Sequence, residues 1–372
     1  MSTRRVLLVK GPAIVRLEGK GWVLGKDVSN SRVSVNVGKI LPFEKGPDCK
    51  INCIGGENWL TSSSVAGTSI WKDIVQRILF DIRIIRTVLI IGNTDAGKST
   101  FAAYLINEVL KKGLRPAIID ADIGQGDLAP PNTIGAAILT TQITDLRDVS
   151  PYLIEFVGSI TPTGFKETII KAVRKISRET GILSNVCIIN TDGYVLNDGT
   201  NYKVRMAQEI KPDVIVCLGQ YSIFQIFRRN FLSSLVLYGR RSPINTIKSK
   251  IDRKERRLSQ FSRYVSGNDK SYPIRIKQAE FVYKGKIFHK SQLNSGILHL
   301  MNRNNTIHIQ QKKLVRMFVG LGLSNSVVGF GIIVNVSRHK LYIKSRISKF
   351  DKIYLSNSAI IGDNPSEIRI ID

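Results

Sequence analysis

The sequence is poor in acid, poor in cysteine, and holds no histidine before His289. Aspartate and glutamate together number 29 against 55 lysines and arginines, a formal charge of +26. So large an excess repels itself in the free protein and attracts a polyanion, nucleic acid before an anionic membrane surface. The four cysteines, Cys49, Cys53, Cys187 and Cys217, form no C-x-x-C pair and no disulfide framework, which suits a reducing intracellular, cytoplasmic setting. Cys187 and Cys217 lie in apolar runs and read as buried strand thiols. All four histidines, His289, His299, His308 and His339, fall in the last part of the chain, which excludes a histidine base, a histidine-rich metal site or a Ser-His-Asp triad upstream. No run approaches the roughly 18 apolar residues of a membrane span, so no membrane partner is expected. Near the N-terminus, Lys10, Gly11 and Pro12 interrupt the apolar run before it could serve as a signal segment.

What is present falls into three textures. Residues 1–68 alternate short β-type runs ("RVLLV", "AIVRLEG", "SRVSVNVG") with Gly, Pro and Asn breaks, as in a small antiparallel β domain. Residues 69–275 begin with a helical period through Ile70, Ile74, Ile78 and Leu79 and then repeat strand, loop and helix. "TVLIIG", "RPAIIDADIG", "YLIEFVGSITPTG", "NVCIINTDG" and "PDVIVCLG" are strand candidates, and "TFAAYLINEVLKKG" and "FKETIIKAVRKISRE" helix candidates. Such alternation predicts an α/β fold, with a central doubly wound domain and a mostly parallel sheet. Residues 276–372 return to short β runs and read as a second small β domain.

The chemistry starts at "GNTDAGKST". Gly92, Gly97, Lys98 and Ser99 satisfy the G-x-x-x-x-G-K-[ST] pattern of a P-loop, which follows an apolar strand and opens a helix. There, backbone N–H groups from Gly92, Asn93, Thr94, Asp95, Ala96 and Gly97 and the helix N-terminus converge on phosphate oxygens. Lys98 would reach the β- and γ-phosphates of ATP, and Ser99 or Thr100 would ligate Mg²⁺. At the end of the next strand candidate, Asp120 and Asp122 stand two residues apart before "IGQG". One carboxylate could hold Mg²⁺ or its water, and the other could accept a proton from an attacking hydroxyl; a turn or helix cap is the bland alternative.

In order, "GNTDAGKST", "DADIGQGDLAPP", "GSITP" and "NTDGYV" resemble the P-loop polynucleotide 5′-hydroxyl kinases of RNA processing, the archaeal polyribonucleotide kinases among them. The opening "GPAIVRLEGKGWVLGKD" is similar to the family's N-terminal β domain, so the likeness runs along essentially the whole chain. The resemblance implies a P-loop domain between two small β domains, with ATP and Mg²⁺ as cofactors. It implies transfer of a phosphoryl group to the 5′-hydroxyl of RNA, with DNA left open, and protein partners in RNA processing. It assigns ATP and metal to Lys98, Ser99 and Thr100, metal support to Asp120, and the base to Asp122. Gln125 belongs to the D-x-D-x-G-Q element, and Thr161 and Pro162 match the loop that clasps the P-loop lysine and the substrate end. Tyr194 stands where the family usually has tryptophan, and its ring still offers a face for the 5′-terminal base.

The lid implied by the resemblance, about residues 240–264, falls on "RRSPINTIKSKIDRKERRLSQF". Arg241-Ser242 is followed by Arg253, Arg256 and Arg257, at a spacing that differs from the family's usual run. A guanidinium brought against the transferring phosphoryl would stabilise charge developing in the transition state, and Arg253 and Arg256 are the catalytic candidates, with Arg257 on the substrate. A solvated charged helix is the competing interpretation. Two other functions remain open at this stage. One is an ATP-holding, non-catalytic component of an RNA-processing complex; the other is a P-loop ATPase.

Overall fold

The computed structural model describes residues 5–63, 68–241, 250–265, 269–303, 305–361 and 367–370. The chain divides into two compact units. The first comprises residues 1–122, 136–152 and 173–253, and the second residues 123–135, 153–172 and 254–372.

In the first unit the N-terminal runs form two antiparallel sheets. One has five strands, with Arg5–Lys10 between Ile40–Lys45 and Glu57–Ser62. The other pairs Ala13–Glu18 with Arg32–Val35 and Lys50–Ile54. Alternation explains them: in Ala13–Glu18 the side chains of Ala13, Val15 and Leu17 turn inward and those between turn outward.

The same unit holds five parallel strands, in the order Pro116–Ala121, Val186–Thr191, Thr87–Gly92, Val214–Leu218, Leu235–Gly239. They are nearly continuous apolar runs, and all but the last are buried almost throughout, as strands covered on both faces must be. The helix Lys98–Lys111 follows the Thr87–Gly92 strand and buries Phe101, Leu105, Ile106 and Val109. Its Asn107, fully buried, donates both amide protons to carbonyls, at 2.8 Å to Leu24 and 2.8 Å to Ile143, and so ties this helix to the N-terminal β region. Two strands escape the sequence pattern: Thr133–Ile138, built of small residues, and Leu235–Gly239. Glycine and alanine, weak strand signals, account for the first of these only. Cys187 and Cys217 are strand thiols as expected, and burial pushes both up to about 12.

The second unit is largely β. Eight strands from its C-terminal part form one mostly antiparallel sheet over a core that includes Phe281, Phe288, Leu321, Ile343 and Ile353. A three-stranded sheet, Lys290–Asn294, Ile297–Asn302 and Asn305–Gln310, completes it. Phe156, Phe261, Phe318 and Phe330 make a second cluster, with Phe261 edge-on to Phe318 at 4.6 Å between centroids. Among the described residues no helix is long and apolar enough to cross a membrane.

Candidate nucleotide and phosphoryl-transfer site

The loop from Gly92 to Gly97 takes its shape from close backbone contacts. A side chain at Gly92 would lie 2.5 Å from the Leu218 carbonyl oxygen, so only glycine lets the P-loop strand end against its neighbour. Gly97 opens the helix at φ 95°, a left-handed conformation that is costly for other residues. Lys98, 7 % exposed, folds back so that Nζ donates to the carbonyls of Gly92 at 2.9 Å and Asn93 at 2.8 Å. Burial pulls its ammonium down to about 8, against an upward pull from Asp122 and, less strongly, from Asp192 and Asp95, while Lys203 lowers it further.

Strand order then decides where the acids fall. The DxD strand, Pro116–Ala121, is not the neighbour of the P-loop strand; Val186–Thr191 lies between them. Two strand spacings put Asp120 roughly 10 Å across the sheet from the P-loop strand. Asn190 is the middle rung, in register with Asp120 on one side and Ile90 on the other. It is 1 % exposed, and Nδ2 donates to Asp120 Oδ1 at 2.9 Å and to Ser99 Oγ at 3.3 Å. The two residues expected to support a metal are thus joined through one amide. A hydroxyl and a carboxylate are hard oxygen donors of the kind Mg²⁺ accepts while keeping several waters. Asn190 Oδ1 is buried and meets no hydrogen-bond partner among the described residues, so the pocket has an acceptor to spare for a metal-bound water. No cluster of three or more His, Cys, Asp or Glu forms among the described residues, and a phosphate-shared Mg²⁺ needs none.

Asp122, half-buried, acts on Lys98, Lys203 and Tyr202 through its charge. Tyr194 sits on the turn after the Val186–Thr191 strand. Its backbone N–H donates to Asp192 at 2.8 Å, and its hydroxyl bonds Asp198. Gly193 before it is pressed against the P-loop, since a Cβ there would lie 2.4 Å from Thr94 Oγ1 and 2.6 Å from its backbone nitrogen.

The segment expected to be a lid contains the helix Lys250–Tyr264, while residues 242–249, Ser242 included, lie outside the described residues. Arg253 closes the first unit and pairs with the P-loop itself, its Nη2 donating to Asp95 Oδ2 at 2.9 Å. In the second unit Arg256 is buried against Asp127. Gln260 donates to the carbonyls of Gly126 at 3.1 Å and Asp127 at 2.6 Å, and Tyr264 to that of Leu128 at 3.2 Å. This helix is therefore stitched along one face to the loop after the DxD strand, rather than solvated all round. Gln125 and Arg257, both half-buried, belong to that unit too. So do Thr161 and Pro162, in a turn where Ser159 Oγ accepts from the Thr161 N–H at 3.1 Å and Pro162 O accepts from Phe165 N–H at 2.9 Å.

The first unit thus gathers the P-loop, Asp120, Asp122, Tyr194 and Arg253; Gln125, Thr161, Pro162, Arg256 and Arg257 are in the second. Three participants carry no sequence signal of their role: Asn190 as the bridge, Asp127 as the partner of Arg256, and Lys203, a fully buried lysine bonded to Asp192.

A strand, a glycine-bounded loop and a helix opening on a buried lysine define a P-loop nucleotide-binding domain in an α/β fold. Residues 92–267, just under half of the chain, match the family model described as mRNA cleavage and polyadenylation factor CLP1 P-loop. A polyribonucleotide 5′-hydroxyl-kinase of Pyrococcus horikoshii is 35% identical over 182 residues, 49% of this chain and 50% of that one. One from Methanocaldococcus jannaschii is 30% identical over 188 residues, 50% of this chain and 52% of that one. The polyribonucleotide 5′-hydroxyl-kinase Clp1 of Homo sapiens is 30% identical over 157 residues, 38% and 36% of the two chains. The matched stretch spans about half the length of the archaeal relatives. Among solved structures, the Clp1p–Pcf11p complex provides a chain of the same fold, with a TM-score of 0.73 over 96% of both chains at 11% identity.

Proposed function

We propose that the protein transfers the γ-phosphoryl group of ATP to the 5′-hydroxyl of RNA, and that DNA ends are a second acceptor to be tested. The observation that carries this is the Asp120–Asn190–Ser99 bridge beside Lys98, with Asp122 two residues past Asp120 at the same sheet edge. P-loop amides and Lys98 hold the β- and γ-phosphates, exchanging the loop carbonyls that Lys98 now contacts for phosphate oxygens. Ser99 and Asp120 would hold Mg²⁺, which neutralises charge on the β- and γ-oxygens when bound. Asp122 takes the proton of the attacking hydroxyl. Tyr194 offers its ring to the terminal base, with Gln125, Thr161, Pro162 and Arg257 on the acceptor strand.

Arg253 is the lid guanidinium suited to turn from Asp95 to the transferring phosphoryl, because it is part-exposed and already on the loop. Arg256 is the second candidate, and its pair with Asp127 first serves to hold the helix to the loop. The names of the archaeal and human relatives support RNA ends as acceptor, and the +26 charge supports a polyanionic one. Free thiols support a reducing, cytoplasmic setting, and the likeness to a complexed Clp1p supports assembly with RNA-processing proteins.

ADP release measured with 5′-hydroxyl and 5′-phosphoryl forms of one oligoribonucleotide tests this proposal. We expect only the 5′-hydroxyl form to stimulate ADP release; equal stimulation by both would favour an ATPase.

A further inference from the structure

Lys203 has no part in the transfer chemistry above, yet it is fully buried. It lies on the helix Gly199–Ile210, where Nζ contacts Asp192 Oδ2 at 2.7 Å, and the Tyr202 hydroxyl donates to the same oxygen at 3.2 Å. The other oxygen of that carboxylate, Oδ1, accepts the backbone N–H of Tyr194 at 2.8 Å. Between Asp192 and Tyr194 stands Gly193, whose α-carbon rests against Thr94 of the nucleotide loop. On the strand side Thr191 Oγ1 donates to the Ile90 carbonyl at 2.8 Å. The turn is therefore pinned at both ends, and its outer pin is a carboxylate held by a buried ammonium.

Burial lowers the Lys203 ammonium, opposed first by Asp192. Two apolar side chains could fill such a space at least as stably, so a buried ion pair gives weak evidence for stability and calls for another role. A lysine on an amphipathic helix normally extends to water. This one is turned inward onto a single acid, and that acid holds the residue whose ring would meet the acceptor strand.

We propose that the Asp192–Lys203 pair is a positioning strut. It fixes the height and direction of Tyr194 over the phosphate-binding loop, and so sets the grip on the terminal nucleotide of the acceptor while leaving ATP binding alone. The inference deepens the kinase reading and rests on it for the identity of the acceptor. Lys203 and Asp192 act through Tyr194 and need touch neither substrate.

Two double variants isolate the strut, and each removes one positive and one negative charge, so the net charge around Lys98 is conserved. Asp192→Leu/Lys203→Met abolishes the acceptor for the Tyr194 N–H; Asp192→Asn/Lys203→Met keeps it. With a Tyr194→Trp substitution as fluorescent reporter in every protein, we expect Asp192→Leu/Lys203→Met, which also strands the buried Tyr202 hydroxyl, to melt somewhat lower than the parent and still to bind ATP within about twofold of it. Its KM for a 5′-hydroxyl oligoribonucleotide should rise about tenfold or more, with kcat changed less and quenching of the reporter indole by the strand reduced, a loss of stacking. Asp192→Asn/Lys203→Met, which keeps the acceptor but loses the ammonium that holds it, should recover part of both but not all. The proposal is overturned if the Leu/Met protein matches the parent in KM and quenching, if the Asn/Met protein loses as much as the Leu/Met protein, or if the Asn/Met protein matches the parent, which would leave Lys203 without a part. Should the parent neither phosphorylate nor bind the strand, the kinase reading fails by itself. The strut then stands or falls on hydrogen exchange at the backbone amide of position 194, which should lose protection in the Leu/Met protein and keep it in the Asn/Met protein.

Discussion

Arg253 donates a hydrogen bond to Asp95 at 2.9 Å, so an arginine of the helix Lys250–Tyr264 is held by an acid of the very loop that would cradle phosphate. Asp95 occupies a variable position of the P-loop pattern and adopts φ 60°. The pair is partly exposed, and such pairs contribute about 1 kcal/mol or less to stability. Its interest is as a resting contact that a nucleotide's phosphates would displace.

Asp95→Ala should therefore leave the melting temperature within a few degrees of the parent and leave kcat largely intact. Arg253→Ala should lower kcat by about a hundredfold, the scale of removing one donor from a developing charge. Steady-state kinetics of both single variants and the double variant check this. Equal losses in kcat would mean that the pair is structural.

For Lys98 the prediction concerns protons. Its amine sits near 8 in the folded chain against an ordinary value of 10.5, so near pH 8 to 9 part of the protein carries it neutral. Bound phosphate favours the charged form, and nucleotide binding in that window should take up a proton. Calorimetry in two buffers of different ionisation enthalpy reads this directly, and identical apparent enthalpies would contradict it. The same shift bears on stability. The unfolded chain binds more protons than the folded one between about 8 and 10.5, so this group's burial penalty is present in full below pH 8 and fades as pH rises through that window.

Asn190→Ala removes the rung between Asp120 and Ser99. It should cost about 1–3 kcal/mol, the penalty for stranding buried polar groups. ATP affinity measured with Mg²⁺ should fall more than affinity measured with EDTA. Parallel losses under the two conditions would separate Asn190 from any metal role.

Gly193→Ala would place a methyl group inside the contact distance of Thr94, whose backbone nitrogen and Cα lie 2.6 and 2.7 Å from the Cβ position. Backbone cannot give way cheaply, so we expect about 1–3 kcal/mol lost, shared between melting temperature and ATP affinity. An unaltered ATP Kd would show that the turn does not brace the loop.

Asp122→Asn keeps the shape of the side chain and removes its basicity. Turnover should drop by about a hundredfold to ten-thousandfold, with ATP Kd within a few-fold of the parent. A matched loss in both would make Asp122 a binding residue.

The sequence discloses the parts of this site that are local in the chain. A strand, Gly92, Gly97 and Lys98 lie within one short stretch, and their period and spacing suffice to place them. Asp120 and Asp122 are visible for the same reason. Asn190 is not, because its role depends on Val186–Thr191 lying between two strands that precede it, and strand order is a long-range fact. Lys203 escapes for a different reason: a charged residue on a helix ordinarily meets water, and only its partner Asp192 shows that it faces inward. Arg256 is legible as a lid candidate, but its burial against Asp127 is not. Thr133–Ile138 is hidden by its small residues, whereas the apolar strands beside it are plain.

The most direct measurement is single-turnover transfer from ATP labelled at the γ-phosphorus to a 5′-hydroxyl oligoribonucleotide, with excess enzyme and Mg²⁺. One label is expected at the 5′ end of the strand, none on the same strand already carrying a 5′-phosphate, and no transfer by Lys98→Ala. ATP bound but unreacted, or hydrolysed to free phosphate with the strand unlabelled, would contradict it.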